Sequence, residues 1–141
     1  MEFLPGEWLG FPYAVRFAEE IGASRIHIQP RIADELIKGD IRPDVYCEMP
    51  SGHPTIIEIE YGLGAKFKEG GPRHRESALS DKATFVFIIG PKAKGGCEKK
   101  LGDYFGDKVK LVYLVDLVRR YGELGIGSVT ISPLADSSAE R

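Results

Sequence analysis

Two extended runs of residues on either side of a short turn constrain the fold of this chain more than any other feature. The runs are 41–49 and 55–61, and residues 50–54 between them read Pro-Ser-Gly-His-Pro, which is typical of a turn. The sequence therefore predicts a β-hairpin. A third apolar run at 84–89 is predicted to be a strand that is covered on both faces.

Helical periodicity fills most of the remaining chain. Helices are predicted at 11–21, 31–38, 73–82, 96–105 and 116–122, and further strands at 25–29, 109–115 and 128–132. An antiparallel pair that leads into alternating helices and strands favours an α/β sandwich around a mixed sheet. We expect one domain over 1–133 and a solvated tail over 134–141.

Composition limits the classes of protein that this chain can belong to. The formal net charge is −2, so any nucleic-acid binding has to rest on local basic patches. Neither a membrane-spanning run nor a signal peptide is visible, which predicts a cytoplasmic protein without membrane association. Cys47 and Cys97 form no CxxC pair and are expected to be unpaired thiols. Asn is absent and Gln occurs once, which is consistent with a thermophilic source.

Three acidic residues on the predicted hairpin could form a site. Because side chains alternate along a strand, Glu58 and Glu60 project from one face, about 6–7 Å apart at the backbone. Asp44 lies on the partner strand, about 4.8 Å away laterally if the register brings it there. Converging carboxylates favour a divalent cation, and oxygen ligands suit Mg²⁺ or Mn²⁺. The alternative is an ordinary half-exposed strand whose charges are solvated.

The spacing of these acids resembles the motif of a known superfamily. Pro43-Asp44, a spacer of 13 residues (45 to 57) and then Glu58-Ile59-Glu60 are similar to the motif of the PD-(D/E)XK nucleases, which include restriction endonucleases and archaeal Holliday-junction resolvases. The resemblance covers about 11–118. It implies a restriction-endonuclease-like three-layer sandwich, with a central mixed β-sheet flanked by helices.

The resemblance also implies roles for individual residues. Asp44 and Glu58 would bind the metal, and an acid on a preceding helix, Glu19, Glu20 or Glu35, would be an auxiliary ligand.

This sequence departs from the superfamily at Glu60, where a lysine is usual. Glu60 could act as a base or as a further metal ligand. Alternatively, the missing cation comes from a residue after the strand; the candidates are Lys66, Lys68, Arg75 and Lys82.

Two basic patches follow the predicted strands and are candidates for phosphate contacts. The first contains Lys66, Lys68, Arg73 and Arg75, and the second contains Lys92, Lys94, Lys99 and Lys100, of which Lys92 and Lys94 are the candidate nucleic-acid contacts. Each patch is equally interpretable as a solvated basic surface. The glycine-rich segment 62–72 holds Lys66 and Lys68 of the first patch, and such a loop could close over a substrate.

The sequence therefore predicts a DNA endonuclease that hydrolyses phosphodiesters with Mg²⁺ or Mn²⁺ and that acts as a homodimer. One alternative is a catalytically inactive module of the same fold that binds nucleic acid or has a structural role. Another is a small nucleotide-binding α/β protein that uses the glycine loop at 62–67, although Phe67 replaces the third glycine of a dinucleotide fingerprint.

Overall fold

A computed structural model describes residues 5–33, 40–60, 70–91, 93 and 96–124. The helices in these ranges are α1 (Pro5–Glu20), α2 (Pro72–Ser77), α3 (Cys97–Phe105) and α4 (Leu114–Tyr121). The strands are β1 (Arg25–Ile28), β2 (Ile32–Ala33), β3 (Asp40–Ile41), β4 (Val45–Glu48), β5 (Thr55–Glu60), β6 (Thr84–Ile89) and β7 (Val109–Tyr113).

Five of the strands form one open mixed sheet in the order β1-β4-β5-β6-β7. The strands β1, β4 and β5 are antiparallel neighbours, as the predicted hairpin requires. The strands β6 and β7 continue the sheet in parallel, each after a helical crossover. The strands β2 and β3 pair separately as a two-stranded ribbon. The predicted α/β class with a mixed sheet is confirmed.

Helices pack on both faces of this sheet, so β5 and β6 lie in the middle of the molecule. On one face, α1 and α4 pack against Val45, Ile57 and Val86. On the other face, α2 and α3 enclose a second apolar cluster that includes Ile56 and Phe85. Because side chains alternate along β5, its two glutamates share the face that α2 and α3 cover.

Several predicted boundaries were wrong. The first helix begins at Pro5 rather than at residue 11 and carries Pro12 in its interior. A helix over 31–38 is contradicted at Ile32–Ala33, which pair with Asp40–Ile41 because tertiary pairing overrides a short helical pattern. The helix α4 begins at Leu114, so Asp116 lies in its first turn and is not its N-cap. The predicted strand 128–132 and the tail 134–141 lie outside the described residues.

Two further expectations concern the thiols and the membrane. Cys47 and Cys97 are both unpaired and buried, as predicted. Burial raises the pKa of each thiol to about 11, so both are poor nucleophiles near neutral pH. None of the helices in the described ranges has the length and apolar character needed to cross a bilayer.

Candidate functional site

The hairpin of β4 and β5 places Asp44 beside Glu58, as the sequence predicts. Val45 pairs with Ile57, so Asp44 faces Glu58 one step further along the two strands. The carboxylate of Asp44 accepts a hydrogen bond from the Ile59 backbone N–H at 2.7 Å. The Asp44 backbone N–H in turn donates to Glu58 Oε1 at 3.2 Å. These reciprocal bonds fix both carboxylates against the two strands.

Glu58 and Glu60 are buried, which rules out the interpretation that their charges are solvated. Glu58 is 3% exposed and Glu60 is fully enclosed. One oxygen of each, Glu58 Oε2 and Glu60 Oε2, is buried without a hydrogen bond from the described residues. Leaving a buried carboxylate oxygen without a partner costs on the order of 1–3 kcal/mol, so this arrangement is unfavourable for the fold by itself.

The short helix α2 supplies the positive charge at this site. Residues 73 and 76 lie three apart and therefore share one face of the helix, which points at the sheet. Arg73 and Glu76 are each 2% exposed. The helix begins with Gly71 as its N-cap and Pro72 at its first position, which places Arg73 against β5 and β6.

The guanidinium of Arg73 bridges three carboxylates. Its Nη2 donates to Glu60 Oε1 at 2.9 Å, its Nε contributes a longer bond to the same oxygen, and its Nη1 donates to Glu76 Oε1 at 2.8 Å. The Nη1 atom also lies 3.4 Å from Glu58 Oε2, as an ion pair without a hydrogen bond. The plane of the guanidinium lies over the ring of Phe87, with its central carbon 4.8 Å from the ring centre.

A cleft of about 360 Å³ opens onto this cluster. Acidic side chains lie in its wall: Asp44, Glu58 and Glu76. Arginines contribute the opposite charge: Arg31, Arg42, Arg73 and Arg75. A cleft with carboxylates for a cation and guanidinium groups for an anion is suited to a phosphate ester.

Burial and charge crowding change the acidity of Glu58. Burial is the main reason that the pKa of this carboxyl is well above its usual value, and the negative charge of Glu76 raises the pKa further. The Arg73 cation opposes both effects, since it favours the ionised form. The carboxylates in turn hold the pKa of Arg73 above its usual value, so its guanidinium remains charged.

We expect the protein to lose stability as the pH rises above the ordinary pKa of Glu58. A carboxyl whose pKa is raised by folding binds its proton more tightly in the folded state than in the unfolded state. The stabilisation that this proton provides is complete below pH 4.5, the reference pKa of a glutamate carboxyl. It is lost as the pH rises through the raised pKa of Glu58 in the folded state. Urea unfolding at a series of pH values measures this loss. The free energy of unfolding should fall less steeply with pH in Glu58→Gln than in the wild type. Equal pH dependence in the two proteins would contradict the raised pKa of Glu58.

Not all of the predicted metal ligands lie at the site. Asp44 and Glu58 meet as predicted, while Glu60 is turned to Arg73. Glu20 does not join them, and its assignment as a metal ligand was wrong. It lies on α1, which packs on the opposite face of the sheet, and its carboxylate accepts hydrogen bonds from Arg120 and Tyr121.

Glu19 is also on α1, exposed and 3.9 Å from Arg16. Glu35 lies outside the described residues.

The predicted basic residues have different outcomes. Arg73 and Arg75 line the cleft, although Arg73 is buried in ion pairs instead of standing on the surface. Lys82 precedes β6, whose first residue pairs with Thr55, so it lies toward the opposite end of β5 from Glu60. The remaining candidates fall outside the described part of the chain: Lys66, Lys68, Lys92, Lys94 and the glycine loop at 62–67.

Sequence reasoning missed Glu76 and the structural role of Arg73. The spacing of Arg73, Glu76 and Leu79 carries a signal, because the three residues would share one face of the helix predicted over 73–82, and Leu79, just after α2 in the structure, belongs to the core. Charged residues on the buried face of a helix need charged or polar partners on the element that they pack against. Glu58 and Glu60 are the charges that it meets.

Comparisons with known proteins do not identify the chain. No protein-family model, curated protein or solved structure matches it. Within the described ranges, no group of three or more His, Cys, Asp or Glu side chains is arranged to hold a metal ion.

Proposed function

We propose that this protein is a metal-dependent nuclease with a restriction-endonuclease-like core. The observation that carries the proposal is the pairing of Asp44 with the buried Glu58 at the wall of an arginine-lined cleft. The chain order supports it as well, because a helix, an antiparallel meander, a second helix and a parallel strand follow one another. That order is the one implied by the resemblance to the PD-(D/E)XK superfamily.

The residues at this position fit a small divalent cation. Glu58 Oε2 is buried and accepts no hydrogen bond from the described residues; its ion pair with Arg73 Nη1, at 3.4 Å, leaves the lone pairs of this oxygen available to a cation. Mg²⁺ is commonly held by one or two carboxylates, together with water and substrate phosphate oxygens, so the absence of a three-residue group among the described residues does not exclude it. Asp44 and Glu58 would hold Mg²⁺ or Mn²⁺, which would polarise the attacking water and neutralise phosphate charge.

The side chains of the cleft account for the rest of the reaction. The arginines bind the phosphodiester and orient it toward Asp44 and Glu58. The oxygen of a water molecule forms a bond to phosphorus, and the bond from phosphorus to the leaving sugar oxygen breaks. The leaving oxygen takes the bonding electron pair and a proton from solvent, and the proton of the attacking water passes to a carboxylate or to solvent. The products are a phosphate monoester end and a hydroxyl end.

The test is cleavage of DNA by the purified protein. Supercoiled plasmid and labelled single-stranded, duplex and branched DNA are incubated with Mg²⁺, Mn²⁺, Ca²⁺ or EDTA. We expect cleavage with Mg²⁺ or Mn²⁺ and none with EDTA. Comparison of the four substrates then defines the class of DNA that is cut. Failure to cleave any of them with either metal would contradict the proposal.

The ion pair of Arg73 with Glu58 favours a second candidate, a nucleic-acid-binding module without activity. This pair already neutralises part of the charge that a metal would otherwise neutralise. A binding module would shift DNA in a gel with EDTA present, would not cut it with any metal, and would bind equally well after Glu58→Gln.

A further inference from the structure

The position at which the nuclease resemblance expects a cation holds Glu60. During phosphodiester hydrolysis negative charge increases on the phosphate oxygens and on the leaving oxygen, and a fixed cation at that point lowers the barrier. Glu60 cannot supply that charge. Its carboxylate instead accepts hydrogen bonds from Nε and Nη2 of Arg73, 13 residues further along the chain.

Arg73 is held in one orientation from three sides. Glu60 binds one edge of the guanidinium, Glu76 binds Nη1, and the Phe87 ring covers one plane. A guanidinium carries five N–H groups, and the hydrogen bonds of Arg73 to Glu60 and Glu76 use three of them. Arg73 also lines the cleft, and its Nη1 atom lies 3.4 Å from Glu58 Oε2 without a hydrogen bond to it. Donor capacity therefore remains on a rigid cation beside the proposed metal ligand.

Arg75 is the other arginine of α2 in the cleft, and its setting is different. It is less buried than Arg73, and its Nη1 donates to the backbone carbonyl of Gly70. No carboxylate of the described residues forms an ion pair or hydrogen bond with it, so its orientation is less constrained than that of Arg73. It suits binding of a neighbouring phosphate better than it suits contact with the reacting group.

We propose that Arg73 is the catalytic cation of this site, and that Glu60 and Glu76 are positioning residues that hold it. The inference rests on the proposed nuclease function. As the bond from phosphorus to the leaving oxygen breaks, Arg73 donates to a phosphate oxygen and stabilises the charge that accumulates there. Glu60 therefore replaces the expected lysine indirectly, because the strand supplies the carboxylate and the helix supplies the positive charge.

The test relocates the cation. In Glu60→Lys/Arg73→Met, a lysine on β5 faces Glu76, and the positive charge returns to the strand. In Glu60→Gln/Arg73→Met/Glu76→Gln, Glu58 is the one ionisable side chain left of these four, and no cation remains beside it. We expect the triple variant to lose at least about 10²-fold in kcat. We expect the relocated lysine to recover part of that loss, and Arg75→Met to raise KM while leaving kcat within a fewfold of the wild type.

Metal binding provides a readout that is independent of turnover. Mn²⁺ titration by calorimetry should show that the triple variant still binds the metal, because it keeps the two proposed ligands, Asp44 and Glu58. If the triple variant has the kcat of the wild type, the proposed role of Arg73 is wrong, while the nuclease proposal stands. The role of Arg73 is also wrong if Glu60→Lys/Arg73→Met cleaves DNA no faster than the triple variant. Absence of cleavage by the wild type would overturn the nuclease proposal together with this inference.

Discussion

Arg73→Met is expected to lower the free energy of unfolding by about 3–5 kcal/mol, the cost of removing one partner from a buried ion pair. The guanidinium is the shared positive partner of Glu58, Glu60 and Glu76, which would otherwise be crowded together away from water without a cation between them. Urea unfolding followed by circular dichroism measures the loss. Arg75→Met on the same helix is the matched control and should cost less than about 1 kcal/mol, because its guanidinium is bonded to a backbone carbonyl.

A compensating variant separates charge from packing. Glu60→Gln/Arg73→Met/Glu76→Gln removes two of the carboxylates together with the cation, and we expect it to recover most of the stability that Arg73→Met loses. Replacement of buried ionic partners together is often neutral or stabilising, whereas removal of one member alone is costly. Glu58 remains in this variant, and its raised pKa favours the uncharged form once the cation is gone. If Arg73→Met is as stable as Arg75→Met, the ion pairs of Arg73 do not stabilise the fold by the expected amount.

Asp44→Asn and Glu58→Gln are each expected to lower the rate of DNA cleavage by about 10³-fold or more. A bound metal supplies several kcal/mol of charge stabilisation in the transition state, and each 1.36 kcal/mol corresponds to a factor of ten in rate. Both substitutions keep the size of the side chain and remove the anionic oxygens that the metal requires.

Initial rates with saturating Mn²⁺ measure the effect. Glu48→Gln is the control, because Glu48 is a carboxylate on β4 that lies outside the cleft. Its Oε2 is 2.6 Å from Nε2 of His27. It should cleave within about twofold of the wild type, in line with the small effects usual for surface substitutions. Full activity in both Asp44→Asn and Glu58→Gln would remove these carboxylates from the mechanism.

The sequence predicted the hairpin and the meeting of Asp44 with Glu58 for clear physical reasons. Side-chain alternation places Glu58 and Glu60 on one face, and the turn at 50–54 sets which residues of the two strands face each other. Burial of Glu58 and Glu60 could not be predicted from β5 alone. It depends on what covers that face, and the covering residues come from α2, whose Arg73 and Glu76 are typical of a solvated helix when considered without their partners.

The auxiliary ligand was misplaced for a related reason. Glu20 is near the end of the first helix, and the sequence does not state on which face of the sheet that helix packs. Its neighbours Phe17 and Ala18 join the cluster on the side opposite Glu58. The acid that does reach the site, Glu76, follows β5 in the chain and is brought there by the crossover to β6.

We infer that Glu58 is kept as a buried carboxylate because the proposed hydrolysis needs a metal ligand at this position. Glu58→Gln tests this claim most directly when stability and Mn²⁺-dependent DNA cleavage are measured on one preparation at about pH 8. Because folding raises the pKa of Glu58, ionisation of this carboxyl lowers the stability of the folded state. We expect the Glu58→Gln protein to unfold at a higher urea concentration than the wild type and to have lost the ability to cut DNA. A Glu58→Gln protein that cuts DNA at the wild-type rate would contradict it.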